Sequence, residues 1–535
     1  MMDYFHKGNH LFLLLSLLFV PFLALCYKYL GFTIDDSFIA WRYSKNLVNH
    51  GVLAWNPGQD PVEGFTSFFW VILNAGALSV GISPVVFSKG LSILSVLAIV
   101  VILLRKGTDQ PWYLQFGLSA AVALSPAVAV LTTQGLETMF AALLMLATGA
   151  ISVRIVKAPS RRGFLLWYGC AFVAGLVRPD TLAFSAGIFA TLAAIYRSSK
   201  RIRLQSFLTL SLPFIVTGVG YMAWRTWYFG YLFPNPTYLK GDSLGGGILY
   251  TAGFFSGVLA PYLIVGTVAA MRVTEERLTE ILPTLTGSLL FGGYLLNVEP
   301  IQGFLWRYAI PVLPALLYCI LNLPWPIKPS HWKSQLSTVA FVIVLLIWPL
   351  HTYPTANGEV MSRTVHDRVA VGKALQGLDG RLFTSESGAL AYYSEWRVID
   401  IPGLNSEQIA HGVPPQNVLR DFEPDLIGLL VPGRTVEPSN WRFEPTLPYI
   451  RTNDYFAVAA TQKTPRSHHL YFVDPSSSIC KEVVSRLRTI DSVEYTTVNA
   501  LIPDSLDVST VSRSNASKVQ ETTCMDASSA REATP

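Results

Sequence analysis

Residues 11–51 read LFLLLSLLFVPFLALCYKYLGFTIDDSFIAWRYSKNLVNHG, an apolar run that ends against two adjacent carboxylates, Asp35 and Asp36. About 20 apolar residues in helical form match the thickness of a bilayer. The run lacks the small-residue cleavage site of a secretory signal, and further apolar runs follow it, so it reads as a retained membrane helix. The two aspartates then stand where that helix leaves the membrane. Charge is expensive near the hydrocarbon, and ionisable residues placed there usually serve a purpose.

The whole chain agrees with this start. Of its 535 residues 51% are hydrophobic and 14% charged, against about 25% charged in a soluble domain. Apolar runs recur to about residue 350 and then cease, which describes an α-helical polytopic membrane protein. The net charge of +5 carries little meaning by itself, and nothing points to a nucleic-acid partner. Of the five cysteines, Cys26, Cys170 and Cys319 lie in apolar runs, whereas Cys480 and Cys524 lie in the polar C-terminal part. Those two could pair if that part lies outside the cytoplasm. His6 with His10, and His468 with His469, lack a carboxylate cage and read as ordinary surface histidines rather than metal ligands.

Basic clusters around Arg154, Arg197, Arg272 and Lys328 mark cytoplasmic loops. They alternate with polar stretches of another kind, such as TTQGLETMF and LVRPDTL. The alternation keeps its parity only if residues 65–104 make one net crossing, with a re-entrant or interfacial segment inside. This gives about 11 net crossings, with the N-terminus cytoplasmic. The expected domains are a transmembrane part at 1–350, whose extracytoplasmic loop 32–66 holds the acidic pair, an extracytoplasmic α/β domain at 351–502, and a disordered Ser/Thr-rich tail at 503–535. In the second of these, DLIGLLVP and HLYFVDP read as strands and TVHDRVAVGKALQGL as a helix.

Within the loop, Thr33 three residues before Asp36 suggests a variant capping box. A helix from about Asp35 to Asn49, closed by Gly51, would set Asp35, Arg42, Asn46 and Asn49 on one face, as an amphipathic helix lying on the membrane surface. Asp35 and Arg42 could then hold a sugar hydroxyl and a lipid phosphate together. The plainer alternative is that both aspartates serve the helix dipole. NPGQ at 56–59 reads as a turn, and EGFTSFFW returns a third carboxylate, Glu63, to the next helix.

The stretch DDSFIAWRYSKNLVNHGVLAWNPGQDPVEGFTSFFW resembles the first extracytoplasmic loop of bacterial GT-C membrane glycosyltransferases, in particular the mycobacterial terminal arabinofuranosyltransferase group. GLET at 135–138, RPD at 178–180, YFGYLFPNPTYLK at 228–240, RYAIPVLP at 307–314 and SGALAYYSEWRVIDIPGLN at 387–405 follow in the order found in that group. Glu386 departs from it, since relatives often carry Asp there. The resemblance implies a GT-C fold and transfer of a sugar, arabinofuranose among the candidates, from a polyprenyl-phosphate donor to a cell-envelope glycan or lipid-linked acceptor. It also implies a multi-pass protein of the bacterial inner membrane with its active site on the extracytoplasmic face.

Such chemistry needs a carboxylate to take the acceptor's proton and fixed positive charge for the leaving phosphate. On the resemblance, Asp36 is the first catalytic candidate and Asp35 the second, with Glu63 and Glu137 binding sugar hydroxyls. Arg307 is the foremost phosphate-binding candidate, with Arg42 and Lys240 behind it, and Arg178 and Asp180 complete the substrate-binding set. Arg178 and Asp180 could equally be a salt bridge pinning a tight reversal, and Arg307 a snorkelling interfacial residue. The segment 228–240 reads as a donor lid or as an aromatic belt. A divalent ion such as magnesium, calcium or manganese could bridge Asp35, Asp36 and the phosphate. Two other classes compete: a transporter or flippase of lipid-linked sugars, which would place charges mid-helix, and a non-catalytic glycan-binding protein, which would not need the acidic pair.

Overall fold

The structure is a computed structural model that describes residues 2–106, 110–198, 204–239, 244–325, 332–432, 440, 442, 444–464, 467–490 and 524. Lys240 and, apart from Cys524, the tail 503–535 lie outside the described residues, as do the side chains of His6 and His10. The chain forms two compact units. One comprises Met1–Phe32, Thr66–Trp227 and Lys240–Val360; the other comprises Thr33–Phe65, Tyr228–Leu239 and Met361–Pro535.

The first unit is helical. Among the described residues, six helical runs are long and apolar enough to cross a membrane, or seven if a bent pair counts as one span. The bent pair is Trp112–Ala123 with Pro126–Thr133, at 47°. Its break has a local cause: Pro126 has no N–H to continue the helix, and the Ser125 hydroxyl caps the new turn by accepting from the Val128 amide at 3.4 Å. Phe12–Lys28, Phe68–Ser79 and Thr181–Arg197 are shorter apolar helices. The 12-residue Phe68–Ser79 helix is followed by the 23-residue Pro84–Lys106. At 1.5 Å per residue the former reaches only about 18 Å, short of a hydrocarbon core of about 30 Å.

Helix contacts here rest on small residues, as they must where lipid removes the hydrophobic drive between helices. Gly187 on Thr181–Ser198 and Gly287 on Glu275–Leu295 meet backbone to backbone. A Cβ on Gly187 would stand 2.8 Å from the Gly287 Cα, and one on Gly287 would stand 2.6 Å from the Phe184 carbonyl oxygen. Thr191 and Thr286 hydroxyls bond each other at 2.6 Å across the same crossing. The buried Glu280 carboxylate is met by Lys157 at 3.0 Å and Arg277 at 3.3 Å.

The second unit is built on a five-stranded mixed sheet. Its strands are β1 (Arg381–Thr384), β2 (Arg397–Asp400), β3 (Leu426–Pro432), β4 (Phe456–Thr464) and β5 (Ser467–Val473), in the order β2-β1-β3-β5-β4. β1 runs parallel to β2 and β3, and β5 pairs antiparallel with β3 and β4. Both strands read from the sequence are present as β3 and β5, and the expected helix is His366–Leu375. A disulfide joins Cys480 to Cys524.

The domain expectation needs one correction. The loop 33–65 belongs with the C-terminal residues, not with the transmembrane part, and 228–239 goes with it. The reason lies in its hydrogen bonds. The Trp55 indole donates to the Val398 carbonyl at 2.9 Å. The Asn56 side chain accepts from the Val398 amide and donates to its carbonyl, both at 3.0 Å, as a neighbouring strand would. The Tyr43 hydroxyl donates to the Val62 carbonyl at 2.7 Å and lies 3.2 Å from the Asn405 amide oxygen. Gly64 fits against Asn405 so closely that a Cβ would come within 1.9 Å of its side-chain oxygen. This accounts for the glycine in EGFTS. The NPGQ turn forms as read, with Gly58 at φ +84°.

Candidate functional site

The helix Asp35–His50 ends at Gly51 in the left-handed conformation, as its sequence suggested. Three other expectations for it are overturned. Its N-cap is Ile34 and no side chain caps it, so the Thr33–Asp36 capping box does not form. It is not a surface helix, because Trp41, Arg42, Tyr43 and Asn46 are all buried. Arg42 does not face a ligand. Its guanidinium donates to the Trp55 carbonyl at 2.9 Å, the Asn56 amide oxygen at 3.1 Å, the Trp396 carbonyl at 2.7 Å and the Ala391 carbonyl, and it lies over the Trp55 ring. A side chain with this set of carbonyl partners is a clamp that closes the loop onto the 391–396 segment. Asn46 assists by donating to the Ala54 and Trp55 carbonyls.

Asp35 is the hinge of a buried charge network within this unit. Its two carboxylate oxygens accept from the Gly388 and Ala389 amides at 2.9 and 3.0 Å, which serves the first turn of Gly388–Ser394. Only glycine fits at 388: a Cβ there would stand 2.1 Å from the Asp35 carbonyl oxygen. Asp35 also faces Arg368 at 3.1 Å. Arg368, 2% exposed, reaches Glu386 and lies 3.7 Å from Asp367. Glu386 further accepts from Lys463 at 3.0 and 3.2 Å.

His469 stands between Asp367, 2.6 Å from Nδ1, and Glu386, 3.2 Å from Nε2. This corrects the reading of His469 as a surface histidine without carboxylates: it is 2% exposed and has two. Burial works against the charge on Glu386, but Arg368, then His469 and Lys463, outweigh it and hold the carboxyl well below its usual range. Burial likewise opposes Asp367, which His469 and Arg368 nevertheless bring down. For Asp35 burial wins and pushes the carboxyl up, against Arg368 and with the charge of Glu386 beside it.

The Asp35 oxygens therefore already hold two amide protons and a guanidinium. That set fits a fixed carboxylate and does not fit a divalent cation, which would sit beside Arg368. Among the described residues no group of three or more His, Cys, Asp or Glu is placed to hold a metal. Asp36, next in sequence, lies on the first turn of the same helix and is partly exposed.

In the helical unit, the other four substrate-binding candidates with described positions there come together from three segments. Arg178 and Asp180 form an ion pair, with Arg178 Nε 3.1 Å from Asp180 Oδ1, and the Thr181 hydroxyl closes the reversal onto the Arg178 carbonyl at 2.8 Å. The salt-bridge reading of RPD thus describes its geometry. Glu137, at the N-cap of Thr138–Lys157, interacts electrostatically with Arg178, Arg307 and Asp180. Arg307 lies across the Tyr308 ring at 5.1 Å, and Arg178 approaches the same ring at 5.7 Å. The Tyr250 hydroxyl accepts from the Tyr308 amide at 2.9 Å. Gln302, Leu305 and Trp306, just before Arg307, all have positive φ, between 51° and 60°. Such conformations are costly for residues with a Cβ and concentrate at functional sites.

Glu63 is buried in the second unit, and its carbonyl accepts from the Asn235 amide at 3.0 Å. The 228–239 segment is folded onto that loop: the Tyr228 hydroxyl accepts from Leu53 at 3.0 Å and Tyr231 stacks on His411 at 3.8 Å. Sequence reasoning did not find Arg368, Lys463 or the role of His469. Only the sequence HDR at 366–368, charge on an otherwise amphipathic helix, could have hinted at the first.

A family model described as a domain of unknown function (DUF8728) matches residues 358–471, which contain Arg368, Glu386, Lys463 and His469. No curated protein matches the chain. Among solved structures, ArnT from Cupriavidus metallidurans bound to undecaprenyl phosphate is similar, at TM-score 0.61 and 12% identity, over 86% of this chain and 98% of that one. An Archaeoglobus fulgidus oligosaccharyltransferase tethered to an acceptor peptide is similar at TM-score 0.50 and 11% identity, over 88% of this chain and 74% of that one. Mycobacterial arabinofuranosyltransferase AftD gives a looser likeness, at TM-score 0.48 and 14% identity, over 86% of this chain and 40% of that one. The chain has the GT-C fold, with a transmembrane helical part and a small C-terminal sheet domain.

Proposed function

We propose that this protein is an integral membrane glycosyltransferase that moves a sugar from a polyprenyl phosphate to a hydroxyl of a cell-envelope acceptor. The observation that carries the reading is the gathering of Glu137, Arg178, Asp180 and Arg307 on a fold shared with ArnT, which was solved with undecaprenyl phosphate bound. Arg307 is the group for the donor phosphate, because a guanidinium stacked on an aromatic face keeps its N–H edge directed outward in its own plane. Arg178, tied to Asp180, holds that region in shape. Glu137 binds sugar hydroxyls.

In the reaction the acceptor oxygen attacks the anomeric carbon, the bond from that carbon to the phosphate oxygen breaks, and polyprenyl phosphate leaves. Asp36 takes the acceptor's proton. Asp35, occupied by amides and Arg368, is a positioning residue. Arabinofuranose is the first sugar to try. An extracytoplasmic placement of the second unit in a bacterial inner membrane is supported by the Cys480–Cys524 disulfide, since such bonds persist in oxidising compartments.

The test is transfer from a polyprenyl-phosphate-linked arabinofuranose donor in proteoliposomes, together with mass analysis of surface glycans from cells with and without the gene. Asp36→Asn should lower transfer by about 100-fold or more and leave the melting temperature unchanged. Asp35→Asn should melt earlier, because its amide cannot accept from both 388 and 389. Full transfer by Asp36→Asn would remove the proposed base.

A further inference from the structure

The segment that reads from the sequence either as a donor lid or as an aromatic belt takes no part in the charge network or the helical cluster. Between Arg225 and Lys240 the chain has no charged residue, and its aromatic side chains there are Trp227, Tyr228, Phe229, Tyr231, Phe233 and Tyr238. Both ends of the segment run into helices of membrane length, Gln205–Phe229 before it and Gly245–Ala270 after it. The first has 25 residues, about 37 Å at 1.5 Å per residue. It outreaches a hydrocarbon core of about 30 Å, so its ends enter the headgroup region. A chain extends at most about 3.6 Å per residue, which keeps Leu232 and Phe233 within about 15 Å of the helix end at Phe229.

A lid has to move, and this segment is fastened. Gly230 turns the chain off the helix at φ +81°. The Tyr228 hydroxyl accepts from the Leu53 amide, and the Asn235 amide donates to the Glu63 carbonyl, both at 3.0 Å. The Thr237 amide bonds back to the Pro234 carbonyl at 2.9 Å, and the Phe233 amide donates to the Tyr238 hydroxyl at 3.4 Å. Tyr231 and Tyr238 both pack on the His411 ring, at 3.8 and 4.7 Å. Pro234, Asn235 and Pro236 are buried. What the fastened loop turns outward is apolar: Leu232 is 52%, Phe233 47% and Tyr238 42% exposed.

We propose that this loop is a fixed membrane anchor, which seats Leu232, Phe233 and Tyr238 in the lipid leaflet where the helix Gln205–Phe229 ends. Aromatic rings favour that depth because their bodies are apolar and a tyrosine hydroxyl still reaches water. A loop already held in shape gives up little conformational freedom on insertion. The absence of charge between Arg225 and Lys240 decides the partner. Such a surface has nothing with which to select an anionic headgroup, so it suits the bilayer itself, and a neutral lipid suffices. The anchor does not depend on the transfer reading above.

Photo-cross-linking of the full chain tests it. The photoreactive residue p-benzoylphenylalanine replaces Leu232, Phe233 or, as a control, Glu482, which lies in a surface ion pair of the same unit. Each variant is reconstituted in phosphatidylcholine vesicles free of polyprenyl phosphate, irradiated and read by mass spectrometry. Positions 232 and 233 should carry a phosphatidylcholine adduct at least about fivefold above position 482, and adding phosphatidylglycerol should leave the yield unchanged. Thermal unfolding checks both loop variants, and if one melts early the other decides. The proposal is overturned if neither position captures lipid, or if position 482 captures as much. It is also overturned if adducts form only once polyprenyl phosphate is added, which is the mark of a donor lid. Lipid capture by a protein that shows no sugar transfer would keep the anchor and sink the enzyme reading alone.

Discussion

Two arginines divide the molecule's charge chemistry between them. Arg368, in the second unit, is enclosed by Asp35, Asp367 and Glu386, and its charge is cancelled where it stands. Arg307, in the helical unit, lies across the faces of Tyr308 and Phe304 at 5.1 and 5.9 Å. An arginine sealed among carboxylates has become architecture: removing it breaks a network, and no anion can replace its partners. A stacked arginine retains the planar fork that grips phosphate. The acidic pair divides in the same way. Asp35 is bound into the frame, while Asp36, one residue on and turned about 100° around the helix, is the member we propose for the chemistry.

The largest expected effect tests this division directly. Arg368→Met leaves Asp35, Asp367 and Glu386 without their shared cation in a buried site, which should cost about 3–5 kcal/mol. The loss would show as a large drop in the melting temperature of the detergent-solubilised chain. Arg307→Met should melt close to the wild type yet lose transfer. Equal melting losses in the two variants would erase the distinction between frame and site.

A smaller effect isolates one partner of Arg368. The Glu386 carboxyl sits below its ordinary range in the folded chain despite its burial, because of Arg368, His469 and Lys463. Its contribution is therefore fully present above its unfolded value, about 4.5, and is lost as the pH falls toward the folded value. Asp35 and Asp400 are raised by burial, Asp400 to about 6, and act with the opposite sign: what they contribute is present in acid and lost as pH rises. Comparing melting curves of the wild type and Glu386→Gln removes the Asp400 term, whereas Asp35, raised in part by the Glu386 charge, is relieved by the substitution and adds to the difference only as pH rises. The wild-type advantage should hold from neutral pH down to about 4.5 and shrink below it. A gap that stays constant into acid would mean that Glu386 is not held ionised by the network.

Much of the frame could be read from the sequence, and the reasons are local. The helix at 35–50 carries its own stop at Gly51, NPGQ its own turn, and β3 and β5 their own apolar runs. Glu137, Arg178, Asp180 and Arg307, read as substrate-binding residues from the resemblance, do lie near one another in the helical unit. What sequence could not supply was the partner of each charge. Arg42 looked free because its acceptors are backbone carbonyls of residues 391 and 396, which leave no mark in side-chain chemistry. His469 looked exposed because Asp367 and Glu386 lie 102 and 83 positions before it in the chain and meet it only in the folded unit. The glycines at 64 and 388 were legible as motif letters, but their cause is an approach by Asn405 and by Asp35.

The smallest effect completes the contrast inside the second unit. Lys45 and Glu395 form an ion pair at the surface, with side chains 23% and 49% exposed. Glu395 also meets Gln376 at 3.2 Å. Water screens such a pair and its two flexible side chains lose freedom on meeting, so Glu395→Gln should cost about 0.2–1 kcal/mol. The loss should shrink further in high salt. The buried Arg368 network should show little of that salt response, because solvent ions do not reach it. If Glu395→Gln instead costs as much as Arg368→Met, enclosure is not what gives the Arg368 network its weight, and the case for treating Asp35 as frame and Asp36 as chemistry loses its footing.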